Sequence, residues 1–270
     1  MTLNIKGELI SLKTPIVMGV LNFTDDSFFD GGKYKDDTAI LLRLEQICSE
    51  GGKIVDVGAV STRPNATPID AGTEFMRIKR CLTLIRQYFP NLIISVDTFR
   101  ANIAQMAVEE GASIINDISG GEDPNMFDTI AKLKVPYCLT FNTRKEELSS
   151  EELIPTMLSY FGEKVEKLKQ LGVNDIIIDP GFGFGQTLEQ NFFLMNHLEI
   201  FKELALPLLV GISRKSMIYK TLKTTPNEAL AGTIALNTVA LQKGANILRV
   251  HDVKAALDTI QIIETLKQNQ

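Results

Sequence analysis

The chain has 270 residues and a net charge of −5 at pH 7, with 44% hydrophobic and 23% charged residues. That mix suffices for a globular core, and the acidic balance argues against a general nucleic-acid binder, which needs a basic surface. Cys48, Cys81 and Cys138 are odd in number and include no CxxC pair, so neither a disulfide framework nor a zinc site is expected. The start of the chain lacks the long apolar core of a signal peptide, and no apolar run is long enough to span a bilayer. A soluble cytoplasmic protein is expected, with neither nucleic acid nor membrane as partner.

In chain order, short β-rich runs at 16–21, 54–58, 93–96, 113–117, 136–141, 175–179, 207–212 and 246–250 alternate with helical patterns, among them 36–50, 100–110, 188–204 and 227–243. Most of the runs are continuous Val/Ile/Leu stretches, the pattern of strands buried on both faces. Glycines at Gly51-Gly52, Gly111, Gly172 and Gly244 follow helical segments, where a left-handed cap is wanted. No linker or low-complexity segment divides the chain. Eight β/α repeats predict an α/β fold, a (β/α)8 TIM barrel forming a single domain over 1–270. Residues 3–11 precede the first barrel strand and suit a short N-terminal hairpin closing the barrel floor. A doubly wound open sheet is the competing fold, but its first turn should be glycine-rich, and Asn22-Phe23-Thr24-Asp25-Asp26 is not.

Polar residues gather where the strands end: Asn22; Asp56, Ser61, Thr62 and Arg63; Asp97; Asn116 and Asp117; Thr140 and Asn142; Asp179; Ser213, Arg214 and Lys215; Arg249 and His251. On a barrel they share the rim where barrel enzymes keep their chemistry. Any one of them suits a helix cap. Capping does not explain the charges of Asp56, Asp97 and Arg249 among apolar neighbours. Asp97, Asn116 and Asp179 can accept from ring N–H and amino groups, and a carboxylate facing an amidine-like edge makes two parallel bonds. Arg63, Lys215, Arg249 and His251 supply charge or donors for an anion such as a phosphate. Asn22, beside Asp25 and Asp26, suits Mg2+, which takes few protein ligands when phosphates and water complete its shell. The run Asp179-Pro180-Gly181-Phe182-Gly183-Phe184-Gly185 fails as a dinucleotide fingerprint. It suits a backbone passing close to a flat ligand, with Phe184 or Phe182 as an apolar wall, and a buried structural Phe182 stays open. His197, inside a helical pattern, reads as surface or packing.

Seven blocks in register carry a family resemblance: MGVLNFTDDSFFDGG from Met18, DVGAVSTRPNA from Asp56, SVDTFR from Ser95, INDISGG from Ile115, DPGFGFG from Asp179, VGISRKSM from Val210 and RVHDV from Arg249. The chain resembles the dihydropteroate synthase family of pterin-binding barrels. The resemblance implies a transferase joining 6-hydroxymethyl-7,8-dihydropterin diphosphate to p-aminobenzoate, with Mg2+, in folate biosynthesis. It implies that Asp97, Asn116, Asp179 and Lys215 hold the pterin. Asn22, Arg63, Arg249 and His251 would surround the diphosphate and metal, and Thr62, Pro64, Phe28, Phe184 and Ser216 would lie near the p-aminobenzoate. Residues 23–33 and 59–67 match the family's mobile loops, and a homodimer is implied, in keeping with the apolar late helices. The chain departs from the family pattern at Asp25, at Val60, and at Leu139-Thr140-Phe141-Asn142, which replaces a Met-His-Met-type strand end. Two rivals remain: a methyltetrahydrofolate:corrinoid methyltransferase, and a non-catalytic pterin-binding paralogue.

Overall fold

The computed structural model describes residues 1–22, 33–59, 69–142 and 148–269. Strands β1 (Thr2–Ile5) and β2 (Glu8–Ser11) pair antiparallel, Thr2 with Ser11 and Ile5 with Glu8. The turn residues Lys6 and Gly7 both have positive φ (54° and 87°), as a two-residue hairpin turn twisted to match its strands requires.

Eight parallel strands follow: β3 (Ile16–Asn22), β4 (Ile54–Gly58), β5 (Ile93–Asp97), β6 (Ile114–Asp117), β7 (Tyr137–Thr140), β8 (Ile176–Asp179), β9 (Leu209–Val210) and β10 (Ile247–Val250). Their order is β8-β7-β6-β5-β4-β3-β10-β9. A parallel bridge between Ile178 and Leu208 joins the two ends of that sheet into a barrel, and the Ile178 N–H donates to the Pro207 carbonyl at 2.9 Å. Around it stand α1 (Lys33–Ser49), α2 (Ala71–Tyr88), α3 (Ala101–Glu109), α4 (Met126–Leu133), α5 (Ser150–Gln170), α6 (Leu188–Asn196), α7 (Ser216–Leu222), α8 (Leu230–Gln242) and α9 (Val253–Gln268). The expected barrel and hairpin are both present.

Strand alternation divides the apolar residues into two cores. Outward-facing Val17, Val55, Val57, Ile94, Val96, Ile115, Leu139, Ile178, Val210, Leu248 and Val250 pack with the helices. Inward-facing Met18, Ile54, Ile114, Cys138, Ile177, Leu209 and Ile247 fill the barrel, and Leu3, Ile5 and Leu12 of the hairpin segment join them from below. The hairpin is the floor of the barrel, held also by the Asn4 N–H donating to Asp175 at 2.8 Å.

The glycines read as left-handed caps, Gly51, Gly111, Gly172 and Gly244, have φ between 85° and 106°. The predicted helix 188–204 is two pieces. His197 uses Nδ1 to donate to the Phe193 carbonyl (2.8 Å), and its own N–H turns to Leu194 (3.2 Å), so the chain tightens into a 3-10 segment at Leu198–Leu204. The predicted helix 227–243 likewise opens with a separate 3-10 turn, Pro226–Glu228, before α8. The ladder of β9 spans only Leu209–Val210 within the expected 207–212, because Pro207 has no N–H to give it and Gly211 ends it. No described helix is long and apolar enough to cross a membrane.

Candidate active site

On six of the eight strands, two residues beyond the inward apolar residue and still facing inward, the barrel changes character. Ile54 is followed by Asp56, Ile114 by Asn116, Cys138 by Thr140, Ile177 by Asp179 and Ile247 by Arg249; Ile93 is followed by Ser95 and then Asp97. All seven are buried or nearly so, and they form a polar layer over an apolar one. The period-2 geometry of the strands puts these residues on the inward face, and side-chain hydrogen bonds between neighbouring strands join them.

Arg249 lies at the centre. Its Nε donates to Asp56 at 2.7 Å and its Nη2 to Asp97 at 3.0 Å. Asp56, fully buried, also accepts from the Ser95 hydroxyl at 2.6 Å and the Asn116 amide at 3.1 Å. The Arg249 stem lies beside Gly211 on the β9 side, where even an added Cβ would stand 3.8 Å from it, an ordinary contact. Burial by itself would lower the Arg249 pKa, but Asp56 and Asp97 hold it above the ordinary value. Burial pushes Asp97 up; Arg249 opposes this, while Asp56 and Asp117 add to it, and the net direction is upward.

Asp179 sits at the end of β8, where burial raises its pKa and the nearby Lys215 lowers it, with a net rise. One of its oxygens accepts from the Gly181 N–H at 2.8 Å. Gly181 has φ 75°, and a Cβ there would sit 1.9 Å from the Phe141 carbonyl, so the turn accepts only glycine. The Lys215 ammonium donates to the Phe182 carbonyl and lies 4.6 Å from the centre of the Phe184 ring, a cation–π distance. Phe182 is completely buried, as a structural residue would be, while Phe184 is 8% exposed beneath the Lys215 ammonium.

His251, two residues past Arg249, meets Ser213 of the neighbouring strand end. Ser213 Oγ accepts the His251 backbone N–H at 3.1 Å and lies 3.0 Å from its Nδ1. Burial, then Arg249 and Arg214, lower the imidazole pKa to about 4, so it is neutral at pH 7. In that state the ring can offer a donor and carries no positive charge. Asn22 ends β3 at an exposed position, and its Oδ1 would stand 3.1 Å from a Cβ at Gly58, whose glycine keeps the approach open. Ser216 opens α7 directly after Lys215. Phe28, Thr62, Arg63 and Pro64, with Asp25 and Val60, lie outside the described residues.

Two rim residues serve the scaffold instead. Asp117 faces outward and is bonded by the Ser119 and Gly121 N–H groups, the Ser119 hydroxyl and the Tyr137 hydroxyl (2.7–2.9 Å), which fixes the loop after β6. Arg214 forms a two-pronged pair with Asp252 at 2.9 and 2.6 Å. Sequence reasoning had given no role to Ser95, although its position two residues before Asp97 places it on the same face. It also passed over Glu74, fully buried on α2, which accepts from the Thr98 hydroxyl at 2.6 Å and pairs with Arg100 just beyond Asp97. Its position in a helical first turn carries no such signal. A cavity of 490 Å³ at the opposite end of the barrel, lined by Cys48, Lys53, Tyr88 and Phe89 among others, collects no comparable set of polar groups.

The family of pterin binding enzymes matches residues 18–251 of the chain. The dihydropteroate synthase of Clostridium beijerinckii is 40% identical over 241 residues, 88% of each chain. That of Escherichia coli is 36% identical over 271 residues, 98% of this chain and 96% of the relative. The solved structure of Xanthomonas albilineans dihydropteroate synthase with 4-aminobenzoic acid superposes with a TM-score of 0.91 at 33% identity, covering 98% of both chains. The chain belongs to the pterin binding enzyme family, among the dihydropteroate synthases.

Proposed function

We propose that the barrel condenses 6-hydroxymethyl-7,8-dihydropterin diphosphate with p-aminobenzoate, giving 7,8-dihydropteroate and pyrophosphate. The observation that carries this is the buried acceptor set over the barrel core. Asp179, the free Oδ1 of Asn116 and Asp97 face inward, with Lys215 and Phe184 beside them. Among the groups of this layer, three carboxylates (Asp56, Asp97, Asp179) stand against two cations (Arg249, Lys215). A flat heterocycle rich in N–H donors supplies hydrogen bonds to those carboxylates, and the amino–N–H edge of a pterin pairs with a carboxylate through two parallel bonds. Phe184 supports the flat face.

The reaction then needs charge moved away from the ring. The bond between the pterin methylene and the diphosphate oxygen breaks, and its electron pair leaves with the diphosphate. The methylene cation is conjugated with the ring, above a layer of fixed carboxylates that stabilises it. The arylamine nitrogen attacks with its lone pair, and its surplus proton passes to solvent. His251, neutral and held by Ser213, presents a donor to the departing anion, and Arg249 adds positive charge fixed by its two carboxylates. Arg63, Thr62, Pro64 and Phe28 enter this reading through the family pattern.

Asn22 is the residue to hold Mg2+. Among the described residues no cluster of three His, Cys, Asp or Glu side chains forms a metal cage. A single exposed amide oxygen fits a hard cation whose remaining ligands are diphosphate oxygens and water. When bound, Mg2+ supplies neutralisation of the leaving group. The same reading includes a homodimer. Leu230 and Ile234 on α8, and Ile262 and Leu266 on α9, are spaced at i and i+4 and each is at least 36% exposed. Sedimentation velocity that gives a monomer would remove this part.

Incubation of the pure protein with both substrates and Mg2+ should release pyrophosphate in step with dihydropteroate. Asp179→Asn, which turns an acceptor into a donor against the ring N–H edge, should weaken pterin diphosphate binding by about 2–5 kcal/mol in calorimetry. A folded protein that binds the pterin without releasing pyrophosphate would favour the non-catalytic paralogue. Affinity unchanged by Asp179→Asn would remove Asp179 from the site.

The pH profile tests the role of His251. With its pKa lowered to about 4 it stays neutral from pH 5.5 upward, so kcat/KM should show no His251-dependent loss as pH rises through 6.5. His251→Gln, which keeps a neutral donor, should retain more activity than His251→Ala, expected to fall about ten-fold or more. A limb near pH 6.5 that disappears in His251→Gln would show that the imidazolium acts after all.

A further inference from the structure

In the polar layer of the barrel two buried atoms are without a partner. One is Asn116 Oδ1, the other the hydroxyl of Thr140. Thr140 is fully buried, and a buried hydroxyl with no hydrogen bond destabilises the structure that holds it. Neighbouring side chains of the layer are well supplied: Asp56 accepts three bonds, and the Asn116 amide N–H is fixed on Asp56 at 3.1 Å. Because that bond fixes the orientation of the Asn116 amide, Oδ1 is left free for something else.

Thr140 is itself fixed in place. It follows the inward residue Cys138 by two and lies directly across the ladder from Asp179. Its carbonyl accepts from the Tyr160 hydroxyl at 3.0 Å, and its methyl comes within 3.3 Å of the space a Cβ on Gly181 would take. The backbone is tied, the methyl is packed, and the hydroxyl alone is unused. It stands between the strand carrying Asn116 and the strand carrying Asp179, two groups that face the bound heterocycle on the reading given above. Asn116 Oδ1 can only accept. A hydroxyl can donate, and a pterin ring alternates N–H donors with nitrogen and carbonyl acceptors, so one ring can satisfy both atoms.

We propose that Thr140 is a substrate-contacting, specificity-determining residue whose hydroxyl bonds the pterin ring between Asn116 and Asp179; this rests on the pterin reading of the site. The hydroxyl contributes to ligand binding and nothing to the fold. That separates it from a structural threonine, whose loss weakens both.

Two substitutions test it. Thr140→Val keeps the shape and removes the hydroxyl, while Thr140→Ser keeps the hydroxyl and removes the methyl. In Thr140→Val, KM and calorimetric Kd for pterin diphosphate should rise about ten-fold, the scale of one lost hydrogen bond, with KM for p-aminobenzoate unchanged. The ligand-free Tm of Thr140→Val should equal or exceed that of the wild type, because an unsatisfied buried group has gone. Thr140→Ser should stay closer to the wild type than Thr140→Val in pterin KM. A Thr140→Val protein with wild-type pterin KM and Kd would overturn the proposal while leaving the synthase reading intact. So would a lowered Tm with both substrate KM values shifted together. A wild type that neither binds pterin diphosphate nor releases pyrophosphate would overturn both.

Discussion

The site depends on one buried arrangement: the Arg249 guanidinium held between Asp56 and Asp97 inside the top of the barrel. Charges in such a place are costly to desolvate, and only close pairing with further hydrogen bonds makes them tolerable. Ser95 and Asn116 supply those bonds to Asp56. The arrangement fixes three strands that are far apart in sequence, β4, β5 and β10. It orients the Asn116 amide through Asp56, so that its free oxygen has a defined direction. It also leaves the layer with more carboxylates than cations, and burial, only partly opposed by Arg249 and Lys215, raises the pKa values of Asp97 and Asp179.

The scaffold makes this affordable by separating its layers. Below the polar layer, Met18, Ile54, Ile114, Cys138, Ile177, Leu209 and Ile247 fill the barrel, sealed by Leu3, Ile5 and Leu12. Water is excluded from beneath, so the electrostatic terms of the polar layer act at low dielectric. Outside, the turns that follow the strands are tied to the helices: Glu74 to Thr98 and Arg100 after β5, and Tyr160 to the Thr140 carbonyl after β7. Each tie fixes the backbone at a residue of the polar layer or within three residues of one. The precision of the pocket comes from these outer bonds as much as from the strands.

The barrel was legible in the sequence because strands buried on both faces must be continuous apolar runs. A charge at the end of such a run, as at Asp56, Asp97 or Arg249, has no reason to be there unless it is paired or used. The polar rim was therefore legible as a set. What each member does was not, because pairing across strands has no local signature. Asp117 and Asn116 are adjacent in sequence, yet alternation sends one out to Tyr137 and the other in to Asp56. Phe182 and Phe184 shared one reading until packing separated them. The break at His197 depends on a side chain taking a helix carbonyl, and the short β9 ladder on Pro207 and Gly211, both details below the resolution of periodicity. The neutral state of His251 was also hidden: it follows from burial beside Arg249 and Arg214, neither of which a lone histidine in sequence reveals.

A double-mutant cycle on Arg249 and Asp56, read by urea unfolding, tests the central arrangement most directly. Arg249→Met and Asp56→Asn should each cost about 3–5 kcal/mol, because each strands a buried partner. The double substitution should cost less than their sum, with a coupling of at least about 1 kcal/mol. Costs that add to within about 0.5 kcal/mol would mean that the two residues act independently, and would contradict the account.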